Sequence, residues 1–444
     1  MKWQEIYKSR QMTAAEAVRR ISSGDRVVVG HASGSPELLL KEMVENKDAY
    51  RDVEIVHMVA MGHSEYCLPE NASHFIHNSL FAGGTTRKAI HDGRAHFTVS
   101  HFSQIPRLFL EKILPVDVTL CMVSQPDEHG FCSFGISVDY TKPAAESSKL
   151  VIAEVTPHMP RTLGDAFIHV SEIDCIVECD TRPIILSPPK ITEIDEKIGG
   201  YCAELIKDGD CLQLGIGAVP DSILGFLKDK KDLGIHTEMF SDGVVDLVEA
   251  GVITCARKNY HPDKMVATFF MGTEKLYKFV HNNPMVQMYP VHITNNPANI
   301  ALNDNVVSIN SSLQVDLTGQ AASESIGYKQ FSGTGGQADF VRGAAWSRGG
   351  RSILAFHSTA AGGKVSRIVP HLDEGAVVTT TRSDIHFAVS EYGIADLRGK
   401  SVPQRAKALI SIAHPDFRDE LKKEFKRIYK RGVDDREKAW LETG

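Results

Sequence analysis

The 444-residue sequence lacks several features that would each have decided its class. No stretch approaches the ~20 uncharged apolar residues needed to span a bilayer, and the opening MKWQEIYKSRQ is too polar for a secretory leader. A cytoplasmic protein without a membrane anchor is therefore expected. No long basic run accompanies the net charge of -7, which removes nucleic acid and anionic membrane as favoured partners. The eight cysteines contain no C-x-x-C pair. They read as buried thiols in a reducing compartment, Cys67 and Cys132 among them, rather than as a disulfide framework. The nineteen histidines contain no H-x-x-x-H pair, and no metal site is expected.

What the chain does have is a succession of short runs rich in valine and isoleucine, alternating with helix-like segments. RVVVG (26–30), VEIVHMVAMG (53–62), VTLCMVS (118–124), LVIAEV (150–155) and CIVECD (175–180) predict strands of a parallel α/β sheet covered by helices. Helices are predicted at 13–21, opened by a capping box from Thr13 to Glu16, and at 36–46. A chain of this length predicts two domains of roughly 200 residues each. The proline-bearing stretch TRPIILSPPKITEID (181–195) suits the linker between them, giving domains at 1–185 and 190–444.

After the linker, GDCLQLGIGAVPDSIL (209–224) echoes GDRVVVGHASGSPELL (24–39). Both read Gly-Asp, apolar run, glycine-bearing loop, proline, helix, so the fold expected is two similar open-sheet α/β domains from an internal duplication. The copies differ before the proline. Ser35 can cap the first helix from its position ahead of Pro36, whereas Val219 ahead of Pro220 offers no acceptor. Loop amides left over in the second copy suit a phosphate or an oxyanion, so the loop Gly215, Ile216, Gly217, Ala218 and Val219 is the candidate binding loop. Water satisfies such amides as well.

GIHTEMF (234–240) reads as a strand, SDG (241–243) as a turn, and VVDLVEAG (244–251) as a helix with Val244, Leu247 and Val248 on one face. Ligands of open α/β sheets lie at the carboxyl ends of strands, and Glu238 stands at such an end beside the glycine loop. Its carboxylate can serve as a base, as a nucleophile toward a thioester, or as a ribose ligand in a dinucleotide fold. The last reading, a nicotinamide oxidoreductase, is weakened because Pro220 replaces the third glycine of G-x-G-x-x-G.

These residues resemble the acetyl-CoA hydrolase/CoA-transferase family, in particular its 4-hydroxybutyrate and butyryl CoA-transferase branch. The resemblance rests on GIGAVPDSIL (215–224), HTEMFSDGVVDLVEAGVI (236–253), FSGTGGQADFVRGA (331–344) and SEYGIADLRGKS (390–401), in this order. It implies a ping-pong transfer of coenzyme A (CoA) between short-chain carboxylic acids, through a glutamyl-CoA thioester on Glu238. It further implies acyl-CoA as substrate with no tightly bound cofactor, CoA contacts from 215–219, Leu313 and Gly336, and a homo-oligomer, dimer or tetramer. A hydrolase with the same nucleophile is the nearest variant. INSSLQVD (309–316) is expected to face the loop, with Asn310 as a possible second oxyanion donor. Lys364 is a candidate phosphate partner, and a solvated lysine is the commoner alternative. His31, Ser35 or Gln104 could receive a substrate hydroxyl. Glu391, Asp396 and Arg398 are read as a structural ion-pair segment, and the charged stretch from 416 onward as a solvated amphipathic helix with a ragged end.

Overall fold

A computed structural model describes residues 2–430 and places the two echoed runs inside two separate sheets. Arg26–Val29 lies in a seven-stranded sheet between Val53–His57 and Val118–Ser124. All its pairings are parallel. Cys211–Gln213 lies in a six-stranded sheet between Gly234–Ile235 and Val306–Asn310, and only the edge strand Gly393–Asp396 runs antiparallel. Val118–Ser124 is buried along its whole length, as a parallel strand covered on both faces should be.

The Gly-Asp pairs explain why the echo is structural. Gly24 and Gly209 both have φ +81°, a backbone region that glycine enters without steric cost. The carboxylate of Asp25 accepts the Ser22 N–H at 2.8 Å, and that of Asp210 accepts the Lys207 N–H at 2.6 Å. Their carbonyls then accept the Glu54 N–H at 2.9 Å and the Gly234 N–H at 2.8 Å. Each turn thus starts one strand and sets the register of the next. Val27 pairs with Ile55, and its counterpart Leu212 pairs with Ile235. The same distance beyond these partners stand Met58 in the first half and Glu238 in the second.

The serine cap expected in the first copy is absent, while the second copy lacks a side-chain cap as expected but starts its helix earlier. Ser35 makes no capping bond: the helix is Glu37–Glu45, Pro36 occupies the cap, and the Ser35 hydroxyl is buried without a partner. The second helix begins at Ala218, two residues ahead of Pro220, because Gly217 turns the chain with φ +120°. Proline is tolerated there because N–H groups of the first turn have no intrahelical acceptor. The difference between the loops is therefore one of exposure rather than of a serine cap. Similarly, SDG is not a free turn, since Asp242–Glu249 is already helical; it buries Val244, Val245 and Leu247 and leaves Val248 partly exposed. The Thr13 to Glu16 capping box is present.

The linker lies across both halves. The Ile184 N–H donates to the Ser33 carbonyl (2.9 Å), the Leu186 N–H donates to the Gly272 carbonyl (3.0 Å), and the Tyr277 hydroxyl donates to the Ile184 carbonyl (2.7 Å). One apolar core carries side chains from both sides of it, Val123 and Ile176 together with Leu212 and Phe240. Leu163–Gly164, from before the linker, completes a small sheet with Val286–Met288 and Met265–Ala267. Of the charged tail, Pro415–Tyr429 is helical and buries Leu421 and Phe425; the expected ragged end, 431–444, lies outside the described residues. No described helix is long and apolar enough to cross a membrane.

Candidate active site

Thr237 ties the two strand ends together. Its hydroxyl donates toward the carbonyls of Leu214 (3.1 Å) and Met239 (2.8 Å), and the Leu214 N–H lies 3.3 Å from the same oxygen. The glycine loop that leaves Leu214 and the turn that carries Glu238 are thereby fixed side by side. The Glu238 carbonyl accepts the Thr268 and Phe269 N–H groups at 2.9 and 3.3 Å, which holds the turn against the neighbouring chain.

The Glu238 carboxylate accepts the Asn295 side-chain amide at 2.8 Å. Gly336 presses on it so closely that an added Cβ would stand 1.9 Å from Oε2. Only glycine fits beside this carboxylate. Loss of hydration is the largest influence on the group and pushes its pKa up to about 8; Asn295 and the Gly336 N–H oppose the shift, while Asp339 and Asp139 add to it. Part of the residue remains exposed.

Asp339, buried on the helix Gln337–Trp346, accepts the Ser103 N–H at 3.1 Å and the Ser103 hydroxyl at 2.8 Å. Burial raises it to about 7 against those donors. The segment leading to this helix is fastened to the first half at several points. His91 reaches the Gln330 carbonyl, Arg87 the Phe331 carbonyl, the Ala82 N–H the Ser332 carbonyl, and the Phe102 N–H the Gly335 carbonyl. Gly336 is thus set against Glu238 by residues more than 230 positions away in sequence, as Ser103 and Asp339 are at 236.

The residues singled out from sequence separate into groups. Gly215 to Val219 are all partly exposed and line a cleft of about 410 Å³ together with Asn310 and Ser311. Ile216 and Gly217 also border a second cleft of about 460 Å³ beside Ser241 and Asp242. Glu238 lines neither cleft. Asn310 is spent in the sheet: its amide donates to Gln213 at 3.0 Å and to Ser308 at 2.9 Å. Leu313 donates its N–H to the Ala322 carbonyl and does not line the loop cleft. Lys364 is exposed at a hairpin turn. Glu391 accepts the Ser358 N–H and hydroxyl at 2.8 and 2.6 Å, and Asp396 faces His386 at 3.5 Å. Glu391 and Arg398 are therefore not joined in the expected ion-pair segment. Among the three hydroxyl candidates, Gln104 is exposed, while His31 and Ser35 are buried. His31 Nδ1 meets Asp139 at 3.2 Å, and its Nε2 has no partner among the described residues.

The two ends of the chain match two domain descriptions, acetyl-CoA hydrolase/transferase N-terminal domain at residues 1–188 and C-terminal domain at 272–425. The chain belongs to the acetyl-CoA hydrolase/transferase family. It is 59% identical over 429 residues to the 4-hydroxybutyrate coenzyme A transferase of Clostridium kluyveri, covering 97% of this chain and 100% of that relative. It is 40% identical to the butyryl-CoA:acetate CoA-transferase of Anaerostipes caccae, covering 96% of this chain and 97% of the relative. The crystal structure of 4-hydroxybutyrate CoA-transferase from Porphyromonas gingivalis superposes with a TM-score of 0.84 at 42% identity, covering 96% of this chain and 100% of that one. Membership in this acetyl-CoA hydrolase/transferase family replaces the nicotinamide alternative.

Asn295, Asp339 and Ser103 were not singled out from sequence. Asn295 sits in TNNPAN, where asparagines beside a proline read as turn formers. Asp339 sits in a helix beside Gln337 and Arg342, with nothing in its sequence neighbourhood that marks it, and only the folded chain brings either to Glu238.

Proposed function

We propose that the protein is a CoA-transferase that moves CoA between short-chain carboxylic acids, with Glu238 as the covalent carrier. The observation that carries this reading is the state of one carboxylate: Glu238 is largely but not wholly removed from water, held by Asn295 and Gly336, and raised to about 8. A more basic carboxylate is a better nucleophile once ionised. Glu238 attacks the thioester carbonyl, forming a C–O bond and expelling the CoA thiolate, which leaves an acyl-glutamyl anhydride. The thiolate then attacks the glutamyl carbonyl, the anhydride C–O bond breaks, and the first acid departs as its carboxylate. An incoming carboxylate reverses both steps and regenerates Glu238. Each addition creates an oxyanion, for which the amides of the 215–219 loop are the candidate donors; removing one such donor commonly costs about 3 kcal/mol in the barrier.

The hydrolase variant uses the same nucleophile with water as acceptor. The partial burial of the carboxylate favours transfer over hydrolysis. The experiment is to incubate the protein with acyl-CoA alone, reduce with borohydride and map the peptides. Reduction at Glu238 is the expected result, and an unmodified 237–243 peptide in active enzyme would remove the covalent mechanism.

The relatives' acids differ by a hydroxyl, and the His31 side chain is the group that supports a 4-hydroxybutyrate reading. With Nδ1 committed to Asp139, Nε2 is left to pair with a hydroxyl, and the ring packs against Phe269, 4.5 Å between centroids. His31→Phe should lower kcat/KM for 4-hydroxybutyrate at least about tenfold while sparing butyrate. An equal loss on both acids would sink the assignment.

A further inference from the structure

The strand end that carries Glu238 is held by a buried lysine. Lys258 donates from Nζ to the Ile235 carbonyl at 2.9 Å and to the Lys264 carbonyl at 2.5 Å. Its stem lies so close to Gly234 that a Cβ there would stand 2.7 Å from Lys258 Cγ. Both residues of the short strand Gly234–Ile235 are thus pinned before the chain reaches His236. The His236 N–H then donates to the Leu212 carbonyl at 3.2 Å and the Thr237 N–H to the Val266 carbonyl at 3.0 Å, so the backbone on which Glu238 stands is fixed from two sides.

The His236 side chain is buried near Tyr260 and Phe340, with 6.0 and 6.3 Å between ring centroids. A carbonyl only accepts, so Nε2, 2.8 Å from the Thr294 carbonyl, carries the ring proton. Nδ1 is then the acceptor, with the Asn303 side-chain amide 3.4 Å away. That amide has its orientation set, because Asn303 Oδ1 accepts the Tyr260 N–H at 3.0 Å. Burial, then Lys258 and His261, disfavour a second proton and push the ring pKa down to about 3. The ring is therefore a neutral donor in one tautomer. Its acceptor, Thr294, ends the short helix Val291–Thr294 ahead of Asn295, and both residues are buried. The Asn295 N–H donates to the Val291 carbonyl at 2.8 Å, and its side-chain amide meets Glu238. A closed circuit results: backbone from His236 to Glu238, carboxylate to Asn295, backbone to Thr294, carbonyl back to the ring. One member is loose. Asn295 Oδ1 is buried with no partner among the described residues, so the placing of this amide depends on the backbone that His236 holds.

We propose that His236 is a positioning residue for the reaction, holding the Thr294 carbonyl so that the Asn295 amide stays on the Glu238 carboxylate. This assignment rests on the reading of Glu238 as nucleophile and adds to it the residue that keeps the nucleophile's donor in place. Asn295 favours the ionised carboxylate, whereas Asp339 and Asp139 face the same group and disfavour it. Without the ring bond the donor loosens and the two acids are less opposed. Attack on the thioester then slows and needs a higher pH.

The test is exchange between acetyl-CoA and butyrate or 4-hydroxybutyrate by the unaltered protein, H236F, H236Q, N295A and the H236F/N295A pair, with thermal melts showing that each variant folds. H236F should lower kcat at least about tenfold without raising KM for acetyl-CoA, and its kcat/KM should level off at a higher pH. H236Q, whose amide N–H reaches the place of Nε2, should recover most of the loss. The pair should stay within about threefold of N295A alone, because the ring acts through the amide. Should H236F not fold, H236N also lacks the Nε2 donor and carries the same expectations. Unchanged kcat and pH profile in the folded variant, or losses that multiply in the pair, would overturn the positioning role and leave the nucleophile reading standing. Exchange retained by E238Q would instead overturn the nucleophile reading itself.

Discussion

The two glycine loops began as copies and are now opposites. Residues 30–36 are all buried, whereas 215–220 are all partly exposed and border two clefts. The position just past the next strand repeats the contrast: Met58, 3% exposed in an apolar cluster with Val28, Phe102 and Tyr140, stands where the other half has Glu238. One half turned this corner of the sheet into core, and the other kept it open and charged. Equal backbone turns do not make equal sites; what fills the corner decides.

The strongest way to break the contrast is to remove the charge. Glu238→Gln should lower transfer on the order of 10⁴-fold or more, read as acyl-CoA exchange, while the protein still folds. Exchange within about tenfold of the unaltered protein would refute the covalent role. The same variant checks the pH behaviour. The folded state holds the Glu238 proton up to about 8, whereas the ordinary value is 4.5. Between these values the folded state binds more protons than the unfolded one, so this group's contribution to stability is present below 4.5 and is lost as pH rises toward 8. Thermal melts should show Glu238→Gln gaining stability over the unaltered protein as pH rises across that window. Activity runs the other way, and kcat/KM should climb with pH and level off above about 8.

A smaller effect is expected from Gly336→Ala. Its methyl would occupy the place of the Glu238 carboxylate, and displacement of a reacting group by about 1 Å costs roughly 10²-fold in rate. Steady-state kinetics with a normal melt would show this; unimpaired kcat would mean that the Gly336 contact is not part of the reactive geometry. In the first half the corresponding damage should be to stability. Met58→Ala removes a buried side chain and should cost about 2–5 kcal/mol in denaturant unfolding, with little change in kcat in what remains folded. The smallest effect belongs to Ala32→Gly. Ala32 has φ +52°, so glycine relieves backbone strain of roughly 1 kcal/mol while losing one buried methyl worth about 0.8 kcal/mol. A net shift above about 1 kcal/mol would show that the buried loop is held by more than these two terms.

Most strands of the first sheet and the glycine loop were legible because they depend on local patterns, valine-rich runs and Gly-Asp turns; the strand expected over 234–240 is only Gly234–Ile235, and Glu238 lies just past its end. The helix start at Ala218 was not legible, because the chain turns at Gly217, ahead of the proline that seemed to mark it. The environment of Glu238 was least legible. Asn295 is 57 residues away, and the Ser103 to Asp339 contact spans 236. Neither carries a periodicity or spacing that points to its partner. The resemblance to a family implied a role for Glu238 but not the residues that hold it.

The fastening of 330–339 onto the first half also bears on when the enzyme comes into being. Contacts of such long sequence separation form late, since closing large loops must precede them. A chain whose second sheet has folded alone would carry Glu238 in a wet, ordinary setting without Gly336 against it. Such a chain would have an acid of unremarkable basicity and little power over thioesters. The setting of Glu238 is thus the last part of the molecule to mature, and on the covalent mechanism proposed above a half-folded chain would be chemically quiet toward acyl-CoA until both halves have met.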